Sequence, residues 1–128
     1  MPFVPGPQES VEKLSIERIA DQAISALKVV RLTSSTNVDL ADSTLTYEDA
    51  ITAGVAIDAA TGAGQTIAIQ TYGVLDDPFF TFPLNDLLFL GTNGTITNVV
   101  PTSGHRVVIG KSLGTGSIFI EIQEPIIL

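Results

Sequence analysis

The chain has no cysteine, one histidine and only six Lys and Arg among its 128 residues. Each shortage removes a class of function. Without cysteine there are no disulfides and no thiolate zinc sites, and the redox compartment leaves no mark on the sequence. Six cations against 14 Asp and Glu give a net charge of -8. A surface of that sign repels phosphate backbones, so nucleic acid is not an expected partner. No apolar run approaches the roughly 20 residues that a membrane helix needs. The opening "MPFVPGPQES" lacks the basic stretch of a secretory signal. No membrane partner is expected, and synthesis in a cytoplasm is.

What the chain does contain is apolar and turn-rich. It is 45% hydrophobic and 16% charged, with 11 Gly and 7 Pro, a globular composition with frequent reversals. At this length one domain buries roughly two-thirds of its unfolded surface in a single core. From Val29 onward, short strands alternate with turn signals. "VVRLT" and "VDLA" are separated by "SSTN". "GVAID" places Val55 and Ile57 on one face, and "QTIAIQTYGVL" places Ile67 and Ile69 opposite Ala68 and Gln70. "LLFL" and "TIT" flank Asn93 and Gly94, the residues that supply φ > 0 in a tight hairpin. "RVVIG" meets "SIFIEIQ" across residues 113–116, with Ile118, Ile120 and Ile122 on one face. Strands every 8 to 12 residues predict an all-β fold, a small single-domain β-barrel or β-sandwich.

The N-terminal part reads two ways. "SIERIADQAISALK" has helical spacing at Ile16, Ile19, Ala20, Ala23, Ile24 and Leu27, with Ser15 as N-cap; alternatively "AISALKVVRLT" is a single opening strand. Residues 2–9, with Pro2, Pro5, Gly6 and Pro7, suit neither helix nor central strand and predict an extended tail. The expected organisation is an extended or partly helical arm over residues 1–22 and a β domain over residues 23–128.

The candidate catalytic motifs fail on geometry. "GHRVVIGKS" ends like a phosphate-binding loop at Gly110, Lys111 and Ser112. Five residues separate Gly104 from Gly110 where four are required, and Val107, Val108 and Ile109 read as strand. His105 is the only side chain with an unperturbed pKa near neutrality. It reads as an exposed loop residue with no serine in a Gly-flanked elbow to serve. Asp76 and Asp77, with Asp86, are the one carboxylate group worth testing as an acid–base pair or hard-cation site. Adjacent aspartates before Pro78 are better explained as the start of a turn. No catalytic, cofactor-binding or metal-binding residue is therefore expected, and the protein is read as a non-enzyme.

Apolar material outside the strands is the more unusual feature. Phe79, Phe80, Phe82 and Phe89 fall within eleven residues. Phe79 and Phe80 are adjacent, so in extended chain they point to opposite sides and one faces outward or into a subunit contact. Phe3 and Val4 sit among the N-terminal prolines, and the chain ends on Pro125, Ile126, Ile127 and Leu128. Phe3, Val4, Phe79, Phe80, Ile126, Ile127 and Leu128 are the candidate protein-interface residues.

The stretches "AISALKVVRL", "ITAGVAIDAATGAGQTIAIQTYGVL", "PLNDLLFLGTNGTITNVVPTSGHRVVIGKSL" and "SIFIEIQEPIIL" resemble the small head proteins of tailed bacteriophages. That family comprises capsid decoration or cement proteins, with relatives described as head- or tail-fibre components. The resemblance covers about residues 23–128 and rests on structural motifs, not catalytic ones. It implies a strand and turn where the helical spacing was noted. It also implies a virion protein on the outer capsid surface, without cofactors, whose partners are the major capsid protein and copies of itself, a trimer being one such arrangement. Two other classes are a fibre or host-recognition module, whose outward loop would be residues 79–86, and a hydrolytic or metal-dependent enzyme using Asp76, Asp77 and His105, which the residue inventory disfavours.

Overall fold

The computed structural model describes residues 12–128, and within them the chain is almost entirely β. The strands in chain order are β1 (Lys13–Ala20), β2 (Val29–Leu32), β3 (Asn37–Leu40), β4 (Gly54–Ala56) and β5 (Thr66–Asp76), followed by β6 (Leu87–Leu90), β7 (Ile96–Thr97), β8 (His105–Arg106), β9 (Val108–Ser112), β10 (Ser117–Glu121) and β11 (Ile126–Ile127). One helical turn, α1 (Tyr47–Ala50), interrupts them. It is held by a capping box in which Thr46 and Asp49 satisfy each other's backbone N–H groups. Nine strands form one sheet in the order β1-β3-β2-β4-β5-β10-β9-β6-β7, and β11 pairs separately with β8.

Local chemistry sets the hairpins. In the β6–β7 connection, Asn93 and Gly94 take φ of 49° and 74°, and the Thr95 amide donates to the Thr92 carbonyl at 3.0 Å. Two successive positive φ values match the right-handed twist of the flanking strands. The β9–β10 hairpin pairs Ser112 with Ile118 and Gly110 with Ile120. As the alternation requires, Ile118 and Ile120 are fully buried and Ile122 packs partly against the same cluster.

The apolar side chains divide into two cores. One gathers Val29, Val55, Leu75, Phe80, Leu88, Leu90, Ile109, Ile118 and Ile120. The other gathers Ala20, Ile24, Val30, Val38, Ala56, Ile67 and Ile69. Val29 and Val30 are neighbours in β2, and Val55 and Ala56 are neighbours in β4, yet each pair is split between the cores. The short strands β2 and β4 are thus a wall with a core on each side. This corrects the reading of "GVAID". Val55 is buried, but Ile57 lies beyond β4 and is 38% exposed.

β5 is long enough to serve both cores because it kinks. Gly73 has φ of 98°, and a Cβ there would stand 1.9 Å from the Glu12 carbonyl oxygen. Gln70 is 2% exposed although alternation predicted the polar face. Its Nε2 donates to the carbonyls of Tyr72 at 3.2 Å and Val74 at 2.9 Å. The kink turns those carbonyls toward Gln70, and a buried amide is tolerated because its donors are used.

The helical spacing around Ile16 to Leu27 is not the structure formed. Lys13–Ala20 is strand β1, antiparallel to β5 from Lys13↔Gly73 to Ile19↔Thr66. It lies inside the segment assigned to the N-terminal arm. A long ladder with β5 satisfies the backbone groups that a helix would satisfy locally, and Ile16 and Ala20 still reach the second core. After it, Ile24 bridges Ala60 and Leu27 turns the chain at φ 68°. The all-β class holds, but the sheet as a whole is not a closed barrel. It curls until β1 meets both β5 and, through only Ile19↔Asn37 and Ala20↔Val38, β3, while β10, β9, β6 and β7 continue away from that ring.

Candidate functional site

The C-terminal residues are anchored by backbone and exposed by side chain. Ile126 pairs with Arg106 and Ile127 with His105, and the Leu128 amide donates to the Gly104 carbonyl at 3.0 Å. Beneath this ribbon the His105 amide donates to the Ser43 carbonyl at 2.9 Å, and the Ser43 amide to Gly91 at 3.1 Å. Pro125 is buried, yet Ile126, Ile127 and Leu128 are 53%, 71% and 45% exposed. A short ribbon with a paired backbone thus carries three large aliphatic side chains outward. Next to it, the Tyr47 ring meets His105 edge-on at 5.9 Å, and Leu45 is also exposed.

Phe79 and Phe80 divide between surface and core, in a turn after β5 and not in the extended chain expected from the sequence. Phe80 is 1% exposed and Phe79 is 73% exposed, with their rings edge-to-face at 6.2 Å. Asp77 shapes this turn: its Oδ1 accepts from the Phe79 amide at 2.8 Å, and its carbonyl accepts from Phe80 at 3.0 Å. Phe80 therefore belongs to the core, and Phe79 alone is available at the surface. The candidate residues Phe3 and Val4 lie outside the described residues.

The ionisable groups occupy structural positions. His105 is in strand β8 and 8% exposed, which corrects the expectation of an exposed loop histidine; its Nδ1 lies 3.2 Å from the Ser43 carbonyl. Asp76 ends β5, and Asp86 Oδ2 accepts from Asn98 Nδ2 at 3.0 Å. Among the described residues no three His, Asp or Glu side chains converge as a metal site would require. β8 follows Gly104 directly and Gly110 lies within β9, so the phosphate-loop resemblance dissolves into sheet.

Among the described residues Asp42 is the most enclosed carboxylate, 7% exposed. Burial works against its charge. The Thr44 hydroxyl at 2.6 Å, the Asn93 amide at 2.9 Å and the Thr44 amide at 2.8 Å outweigh it, and the pKa lies below the ordinary value. This clasp ties the Asn93–Gly94 turn to the loop beneath the C-terminal ribbon. Asp21, held by Thr33 and Asn37, and Asp49, held by Thr46, are lowered likewise.

One apolar surface escaped the sequence reading. The ladders pair Val74 with Phe119, Phe119 with Lys111 and Lys111 with Leu87, so these four share the solvent side of the sheet. Leu14 and Tyr72 form the adjoining row, with Tyr72 and Phe119 edge-to-face at 5.3 Å. Leu14, Val74 and Leu87 are 52%, 38% and 54% exposed. A solvent-facing antiparallel sheet normally carries polar side chains there. The available signal was Phe119, an aromatic at the outward position of an otherwise alternating strand. Separately, an open groove of about 530 Å³ runs between Ile51, Thr52 and Ala53 and the segment from Glu121 to Pro125.

No protein-family model matches the sequence, and no curated protein matches it significantly. Among solved structures, the head fiber gp8.5 N base of bacteriophage phi29 superposes on 88% of this chain and 95% of its own, with a TM-score of 0.50 at 14% identity. Identity that low makes the likeness one of fold.

Proposed function

We propose that this chain is a structural protein of a bacteriophage virion, seated on the head by apolar contact and working by adhesion without turnover. The observation that carries the reading is the C-terminal ribbon, whose backbone is fixed against β8 while Ile126, Ile127 and Leu128 face outward. The likeness to a phage head-fiber base supports the same placement. A contact that forms only on the assembled shell stabilises that shell by linkage. Many copies on one particle make modest individual affinities sufficient. The acidic surface, at net charge -8, keeps particles soluble and apart.

In its finer form the role is that of a decoration or cement protein on the outer capsid surface. Its partners are the major capsid protein and further copies of itself, without nucleic acid, membrane or cofactor. The second reading is a head-fibre component, and the observation favouring it is that 95% of the phi29 fiber base is covered by the superposition. Imaging particles that carry a tagged copy of this chain separates the two. Density spread over the shell lattice is expected of a cement protein, and density at the foot of discrete projections of a fibre base. Particles that never contain the chain overturn both.

A further inference from the structure

The turn between β6 and β7 is built on a chemically reactive dipeptide, Asn93-Gly94. Glycine has no Cβ to shield its amide nitrogen, and that nitrogen is placed one residue after a side-chain carboxamide. When it attacks, a bond forms from the Gly94 nitrogen to Asn93 Cγ and the Cγ–Nδ2 bond breaks. The proton lost by the Gly94 amide ends on the departing ammonia, and a succinimide ring remains. Water then adds to either ring carbonyl, leaving aspartate or isoaspartate at position 93. We propose that Asn93 is a deamidation site held closed by the Asp42 clasp and exposed to reaction when the turn lifts from the sheet. The inference is independent of the attachment role proposed above.

Three observations carry it. The Asn93 side chain is exposed and Gly94 is buried, so the leaving group faces water while the nucleophile does not. The Gly94 amide donates to the Ala41 carbonyl at 2.7 Å, and Ala41 is fully buried. A nitrogen whose proton is committed in that way does not surrender it to solvent. The Gly94 carbonyl accepts from the Val29 amide at 2.8 Å, and a Cβ on Gly94 would stand 2.7 Å from the Val29 carbonyl oxygen. Gly94 is thus wedged between β2 and the residue that follows β3. The third observation is the clasp. The Asn93 amide donates to Asp42 Oδ2 at 2.9 Å, while Thr44 holds Oδ1 through its amide and hydroxyl. Residues 93 and 94 are therefore fixed to residues 42 and 41, and the rotation that would bring the carboxamide over the Gly94 nitrogen is blocked.

Reaction makes the opening one-way. Aspartate at position 93 adds a second negative charge beside the buried Asp42 carboxylate, and like charges that close oppose each other's ionisation. Isoaspartate routes the main chain through the former side chain and lengthens it by one carbon. The paired spacing of the Asn93 and Gly94 amides against Asp42 and Ala41 is then lost.

The test follows modification at Asn93 by peptide mass spectrometry, with the full chain incubated at neutral pH both native and in urea. The native chain should react at least about 100-fold more slowly, as for a site that reacts only through opening. Equal rates overturn the proposal, as does an Asn93 that stays intact in urea. Asp42→Ala should raise the native rate roughly 5- to 150-fold, the factor expected when buried amides lose their acceptor. The milder Thr44→Val should raise it less, and parent-like rates in both variants refute the clasp as the gate. Ile67→Val, in the second core, controls for general destabilisation and should match the parent. A rate raised as much as in the Asp42 and Thr44 variants would mean that the site opens only with the whole fold, which also refutes the gate. Finally, chain deamidated in urea is returned to native buffer. Its Gly94 amide should exchange with heavy water at least about ten-fold faster than the parent's, and parent-like protection overturns the one-way step.

Discussion

The C-terminal ribbon makes the sharpest prediction, through Ile127→Asp. Ile127 is 71% exposed, so its own chain covers less than a third of it. A fully buried isoleucine contributes about 1.5–3 kcal/mol, and the isolated protein should therefore lose less than about 1 kcal/mol. If the exposed part is buried against the head, docking forfeits about 1–2 kcal/mol per copy from area alone. Placing a carboxylate in that contact adds on the order of 1–3 kcal/mol. The sum is at least about 2 kcal/mol, roughly a thirty-fold weaker single contact, and multivalent attachment magnifies the loss. Urea unfolding of the isolated variant reads the first quantity, and co-sedimentation with particles over a concentration series reads the second. Ile118→Ala is the control: fully buried, it should cost about 2–5 kcal/mol in urea. An Ile127→Asp chain that unfolds as readily as the Ile118→Ala control would make the ribbon part of the core. One that unfolds normally and sediments as tightly as the parent would leave the ribbon without a role in attachment.

Phe80→Ala should destabilise by about 3–5 kcal/mol, whereas Phe79→Ala, at 73% exposure, should stay within about 0.5 kcal/mol of the parent in the same urea assay. Gly73→Ala should cost about 1–3 kcal/mol for its left-handed φ alone and more because the added Cβ displaces the Glu12 carbonyl; a thermal midpoint equal to the parent's would contradict the kink. Asp42→Ala strands the Asn93 and Thr44 amides and should cost about 1–3 kcal/mol. The same carboxylate predicts a pH dependence. Its pKa is lowered on folding, so its stabilisation is present above the ordinary carboxylate value and is lost as pH falls through the lowered one. The acid limb of the parent's stability profile should flatten in Asp42→Asn, and identical limbs would argue against the clasp. Asp76→Asn combined with Asp77→Asn should leave folding and particle binding intact, because an asparagine oxygen still accepts from the Phe79 amide; loss of biological activity by a folded, particle-bound variant would overturn the non-enzymatic reading.

Where one residue's neighbours in the chain decide its conformation, the sequence by itself was sufficient. Asn93 and Gly94 adopt positive φ because few other residues do so at low cost. Ile67 with Ile69 and Ile118 with Ile120 are buried because a strand repeats every two residues. Phe79 and Phe80 part as well, but in a turn shaped by Asp77 and not through strand alternation. Tertiary structure decided what depends on distant partners. Lys13–Ala20 became a strand because β5 offered a ladder, against a pattern that fitted a helix equally well. Gln70 and His105 are buried because the Gly73 kink and the Ser43 loop place carbonyls beside them. The two-core wall of β2 and β4 could not be read from alternation, which distinguishes faces but is blind to a strand with apolar contacts on both. The same blindness hid the outward row around Phe119. Periodicity says that a side chain leaves the core, and only the folded sheet shows five such side chains arriving at one place.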